Sequence, residues 1–124
     1  MADTQSTEDI LTILNRLVGE SVVELQVLGV NSLKSVAPSP ADLAGLTITA
    51  VSVAERILAV GIEAFSATVD LQRTGRLYWL ERAEPARVER QSLPTLRLIL
   101  QSGAGLDFSE PAKTKRISVT IRAI

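Results

Sequence analysis

The chain has 124 residues, enough for one domain but not for two with separate cores. Hydrophobic residues make up 46% and aromatic residues 3%, so the core must be built from Leu, Ile, Val and Ala. A net charge of -1 argues against a wholesale polyanion binder, and the absence of Cys and His excludes disulfides and thiolate or imidazole metal sites. The opening MADTQSTEDI has no basic stretch followed by an apolar one, and no apolar run is long enough to span a bilayer. These features predict a cytoplasmic protein with no membrane partner.

In STEDILTILNRLVGES the residues Ile10, Leu11, Ile13, Leu14, Leu17 and Val18 form one stripe at the helical period, predicting an amphipathic helix over 7–18. Ser6 is placed to cap it, with Glu8 and Asp9 at the positive end of its dipole, and Gly19 to end it. The period then changes to two. Val23, Leu25 and Val27 alternate with Glu24 and Gln26, predicting a strand within 20–30 with the three apolar residues on one side. Pro38 and Pro40 make 31–45 a connector, with a short helical turn opening at Ser39-Pro40 and ending at Gly45.

From 46 to 124 the pattern is that of antiparallel β-structure. LTITAVSVAE is rich in β-branched residues. ILAVGIEAFSATVDLQ shifts phase, and a β-bulge near Ala64 would return Leu58, Val60 and Ile62 to the same side as Phe65, Ala67, Val69 and Leu71. Arg73-Thr74-Gly75 reads as a turn, which predicts a hairpin between 57–72 and 76–83. Leu96, Leu98 and Leu100 should face inward, SGAGLDFSEP should be a loop, and Ile117, Val119 and Ile121 should line the last strand. The fold class expected is α+β: one domain over 1–124, its N-terminal helix packed on a curved antiparallel sheet of five to seven strands that tends toward a barrel or a sandwich.

Without His or Cys the commonest general bases and nucleophiles are missing, so only a carboxylate mechanism, with Glu63, Asp70 and Glu81 as its acids, would remain. No loop is dense in acids, and GAGLDF leads to another strand rather than to a helix. No catalytic residue, cofactor or metal is predicted.

The stretch RTGRLYWLERAEPARVER holds the single Trp, the single Tyr and five arginines. On a strand Leu77 and Trp79 share one side, and Arg76, Tyr78, Leu80 and Arg82 share the other. Arg97 and Ile99 repeat this pairing of arginine with an aliphatic residue, as do Arg122 and Ile124. A plain structural hairpin is the leading account of this stretch. If the second face stays open, Arg76, Tyr78, Leu80, Arg82, Arg97 and Ile99 form an apolar centre with a cationic margin. The function expected is then a non-catalytic protein-interaction or accessory module, binding a protein partner or a second copy as a homodimer. A curved sheet enclosing an apolar ligand is the alternative. A nucleic-acid surface built from Arg73, Arg76, Tyr78, Arg87 and Arg90 ranks last, because Glu81, Glu84 and Glu89 interleave with the arginines.

Overall fold

The computed structural model describes residues 5–29, 32–34, 38–84, 94–110 and 116–124. Helix α1 spans Thr7–Asn15, with the Ser6 side chain accepting from the Asp9 amide at 3.1 Å. Gly19 follows at φ 92°. Strand β1 is Val22–Val27, and a 3-10 turn at Pro40–Leu43 leads to Gly45 at φ 86°. The remaining strands are β2 (Ile48–Ala54), β3 (Ile57–Ile62), β4 (Phe65–Asp70), β5 (Arg76–Leu80), β6 (Leu96–Leu100), β7 (Gly105–Ser109) and β8 (Ser118–Ala123).

The strands form two antiparallel sheets of four, in the orders β1–β6–β7–β5 and β2–β3–β4–β8. The expected α+β class is present, but the five to seven strands of one curved sheet are corrected to eight in two open layers. At one corner the layers touch: the Gly19 amide donates to the Ile48 carbonyl, Ile48 to Glu20, and Val22 to Leu46, at 2.8 to 2.9 Å. Leu33, within the predicted connector, forms a parallel bridge to Val119.

One apolar core lies between the layers. Leu58, Val60 and Ile62 from β3, Ala67 and Val69 from β4, and Val119 and Ile121 from β8 meet Leu96, Leu98, Leu106, Phe108 and Leu77 of the other sheet. Helix α1 packs on β2 and β5, the edge strands of the two sheets, and inserts Ile10 and Leu14, with Leu17 just beyond it, into the core. It therefore plugs the side between the layers rather than covering either outer face. In front of it, the Gln5 side chain acts on the free edge of β5 as a strand would. Its Nε2 donates to the Leu77 carbonyl at 2.9 Å and its Oε1 accepts from the Leu77 amide at 2.7 Å.

Four local expectations are corrected. The phase shift at Ala64 is no bulge but a chain reversal, since Ile62 pairs with Phe65 across a loop of Glu63 and Ala64. Glu63 takes φ 53° there, a conformation that disfavours side chains bearing a Cβ, while its carboxylate accepts from the Thr47 amide at 2.7 Å. The hairpin of 57–72 with 76–83 does not form: β4 pairs with β3 and β8, whereas β5 pairs with β7 in the other sheet. SGAGLDFSEP is not a loop, because 105–109 is strand β7 and packs Leu106 and Phe108 inward. Finally, the register of β1 against β6 shifts between Val22 and Glu24. Val22 and Leu25 are thereby buried, and Val23 is left exposed.

Gly105 hid strand β7 from pattern reading, and its reason is steric. A Cβ there would lie 2.4 Å from the Ala83 Cβ and 2.6 Å from the Leu98 carbonyl oxygen. Gly105→Ala should lower the free energy of unfolding by about 1 to 3 kcal/mol, measured by urea denaturation, because neither backbone can retreat. A flexible loop would show a change of less than about 0.5 kcal/mol.

Candidate functional site

The pairing register decides which of the proposed residues meet. On the outer face of the first sheet, Tyr78 lies opposite Asp107, Asp107 opposite Arg97, and Arg97 opposite Gln26. The next row runs Leu80, Gly105, Ile99 and Glu24. Arg76, Tyr78, Leu80, Arg97 and Ile99 therefore share one face, as strand alternation requires. Arg82 lies beyond the end of β5 and is exposed. Arg87 and Arg90 lie outside the described residues.

The centre of this face is closed. Arg97 Nε and Nη2 grip the Asp107 carboxylate at 2.7 and 2.8 Å, and Nη1 donates to the Glu84 carbonyl at 3.0 Å. Donating to the Asp107 carboxylate raises the Arg97 pKa above its ordinary value, against the opposing effect of burial. Ala83 sits on Gly105, and Ile99 is only 6% exposed. The open apolar patch expected there is thus filled by residues 83 and 84 of the same chain. Tyr78 remains accessible, at 48% exposure, with the Arg76 guanidinium 6.0 Å from its ring centroid. Trp79 turns inward, packs against the core, and carries Arg16 4.1 Å above its ring.

Arg76 also marks one end of the sandwich. It pairs with Ser109 at the end of β7, and in the other sheet Ile57 pairs with Asp70, which pairs with Ser118. That end collects the β2–β3 turn, the crossover from β4 to β5, and the residues leading into β8. Four arginines lie in these segments: Arg56, Arg73, Arg76 and Arg116. Charge tallies along the chain gave no sign of Arg56 or Arg116, which are remote in sequence from Arg73 and Arg76.

Arg56 organises the end. Its Nε donates to the Gln72 carbonyl at 2.5 Å, its Nη2 to the Gly75 carbonyl, and its Nη1 to the Gln5 carbonyl at 3.5 Å. Burial first, then the positive charge of Arg76, lower its pKa from the ordinary value, while Asp70 opposes them. Asp70 accepts from the Gln72 amide at 2.9 Å. Gln72 itself stands at φ 59°, and a Cβ on Gly75 would meet the Leu71 carbonyl at 2.4 Å. The crossover is tight, and it projects Arg73 and Thr74 into solvent. Nearby, the buried Glu110 carboxylate accepts from the amides of Arg116, at 2.5 Å, and Ile117, at 2.8 Å.

Among the described residues the ion pairs are Arg16–Glu81 and Arg97–Asp107, so none of the four arginines at this end is in one. Among the described residues there is no group of three or more carboxylates that could hold a metal. No described helix is long and apolar enough to cross a membrane. Between the sheets, a void lined by the described residues Leu25, Val60, Val69, Leu98 and Phe108 measures about 20 Å³, room for roughly one water and too little for an apolar ligand there.

This arrangement defines a class of fold: two four-stranded antiparallel sheets with one helix closing the side between them. No family model matches the chain, and no curated protein does. Solved structures do. Lactococcus lactis Fpg in complex with DNA containing an abasic site aligns with a TM-score of 0.73 at 16% identity, over 91% of this chain and 40% of that one. Lactococcus lactis Fpg (MutM) with DNA containing Fapy-dG aligns with the same score and identity, over 91% of this chain and 41% of that one. A complex of the LlFpg protein with THF-DNA and an inhibitor gives 0.74 at 16% identity, covering 91% and 40%. The chain thus spans about two fifths of the length of these proteins, and at such identity the likeness establishes the fold.

The comparison corrects the functional expectation. The solved structures that share the fold are complexes with DNA, against both the protein-interaction module and the low rank given to nucleic acid. Along the chain Glu81, Glu84 and Glu89 interleave with the arginines, and Glu89 lies outside the described residues. In the structure Glu81 pairs with Arg16, and Glu84 is met through its backbone carbonyl by Arg97.

Replacing Arg56 by Ala should cost about 2 kcal/mol of stability, because the carbonyls of Gln72 and Gly75 lose a charged donor. Hydrogen exchange should then accelerate at Gly75 and Leu77 before it does in β3. Unchanged protection of the crossover would show that Arg56 does not hold it.

Proposed function

We propose that this chain is a DNA-binding domain that meets the phosphate backbone with the arginine-bearing end of its sandwich. The observation that carries the reading is that Arg56, Arg73, Arg76 and Arg116 lie in segments at one end of the sandwich and that none of them is in an ion pair among the described residues. The fold supports it, since the solved structures it resembles hold DNA. Arg73 on its exposed turn, Arg76, and Tyr78 beside it are the contact residues proposed from the described part of the stretch 73–90. Arg87 and Arg90 are proposed as further cations of the same surface.

Arg73 and Arg76 suit the task differently from Arg97. An arginine held bidentately by Asp107 has little charge left to offer, whereas one facing solvent can release counterions from DNA when it meets a phosphate. Arg56 serves mainly to fix the turn, and it adds positive potential behind Arg76.

Fluorescence anisotropy with a short labelled duplex tests the proposal. Binding should weaken steeply with salt, with a log–log slope of about -3 if Arg73, Arg76 and Arg116 each meet a phosphate. Arg73→Ala should reduce that slope by about one and weaken all sequences alike. Arg122→Ala, on the outer face of the second sheet, should change neither. Absence of binding at about 50 mM salt would reject the reading, since backbone contacts are strongest there.

A further inference from the structure

We infer that Arg76 and Tyr78 together form a subsite for one unpaired nucleotide, its base stacked on the Tyr78 ring and its phosphate met by the Arg76 guanidinium. The inference rests on the DNA-binding reading and specifies its substrate class: single-stranded or locally unpaired DNA rather than intact duplex.

Two independent features point to it. The first is the ring. Of the four aromatic residues, Phe108 is buried, Phe65 and Trp79 are half-buried, and only Tyr78 is left with nearly half its surface in water. An intact duplex stacks its bases on each other and offers such a ring no face, whereas an unpaired base does. The second is the guanidinium. Arg76 Nε is out of contact with solvent and has no hydrogen-bond acceptor among the described residues. Its positive charge acts on the neighbouring Arg56, whose pKa it helps to lower after burial. An oxyanion meeting the outer edge of the guanidinium would offset two like charges held close together.

The two features are also correctly spaced. Residues two apart on a strand point to the same side and stand roughly 7 Å apart, a separation that suits a base and its own phosphate. The subsite holds one nucleotide because its surroundings are closed. Asp107 and Arg97 occupy each other across the next strands, and Ala83 covers Gly105.

Anisotropy with a labelled oligothymidylate and with a blunt duplex of equal length provides the test, with one base of the single strand replaced by a fluorescent aminopurine. The wild-type chain should prefer the single strand and quench the aminopurine on stacking. Tyr78→Ala should weaken single-strand binding about tenfold, change duplex binding by less than roughly twofold, and abolish the quenching. Tyr78→Phe should behave as wild type. Because Tyr78 is exposed, unfolding monitored through Trp79 fluorescence should confirm that both variants remain folded. Equal weakening on both probes, or quenching that survives Tyr78→Ala, would overturn the subsite while leaving DNA binding intact. Failure of the wild type on both probes would instead reject DNA binding itself, and the subsite with it.

Discussion

The crossover from β4 to β5 depends on one guanidinium. Between Asp70 and Arg76 the chain leaves one sheet and enters the other, turning through a left-handed Gln72 and a Gly75 that has no space for a side chain. Arg56 reaches from the β2–β3 turn and donates to the Gln72 and Gly75 carbonyls, which a turn this tight would otherwise leave without partners. A hydrogen bond from a charged donor contributes about 1.5 to 3 kcal/mol, comparable with the cost of the left-handed residue it holds. The tie holds the turn that carries Arg73 and leads directly into Arg76 at the start of β5.

Some of the fold could be read from the residues, and some could not. Helix α1 was legible because its stripe and its Ser6 cap are local properties. The inward rows Leu96-Leu98-Leu100 and Ile117-Val119-Ile121 were legible because each strand buries one side. The β3–β4 reversal was not, since Glu-Ala is no turn signal and tertiary contact to Thr47 supports it. Strand β7 was missed because Gly105 is required by Ala83, more than twenty positions away. Which strands pair across a sandwich is a non-local choice, and alternation alone cannot make it.

The candidate site divides in the same way. Alternation placed Arg76, Tyr78, Leu80, Arg97 and Ile99 on one face, and the register agrees. It could not show that Asp107 neutralises Arg97, because that carboxylate belongs to a segment read as loop. Nor could it bring Arg56 and Arg116 to Arg76. Counting charges along the chain set the arginines against Glu81, which in three dimensions pairs with Arg16. What decides the electrostatics of this surface is which charges the strand pairing brings to the same end of the sheets.

The amide of Gln5 carries a consequence of a different kind. A bare strand at the margin of a sheet is a template onto which another polypeptide can add, and domains of this type must guard it. Among the described residues the guard is the Gln5 side chain, standing in for one residue of a neighbouring strand on Leu77, with α1 packed behind it. Gln5, which lies outside the apolar core, therefore bears on whether the protein remains dispersed or grows by adding strand to strand.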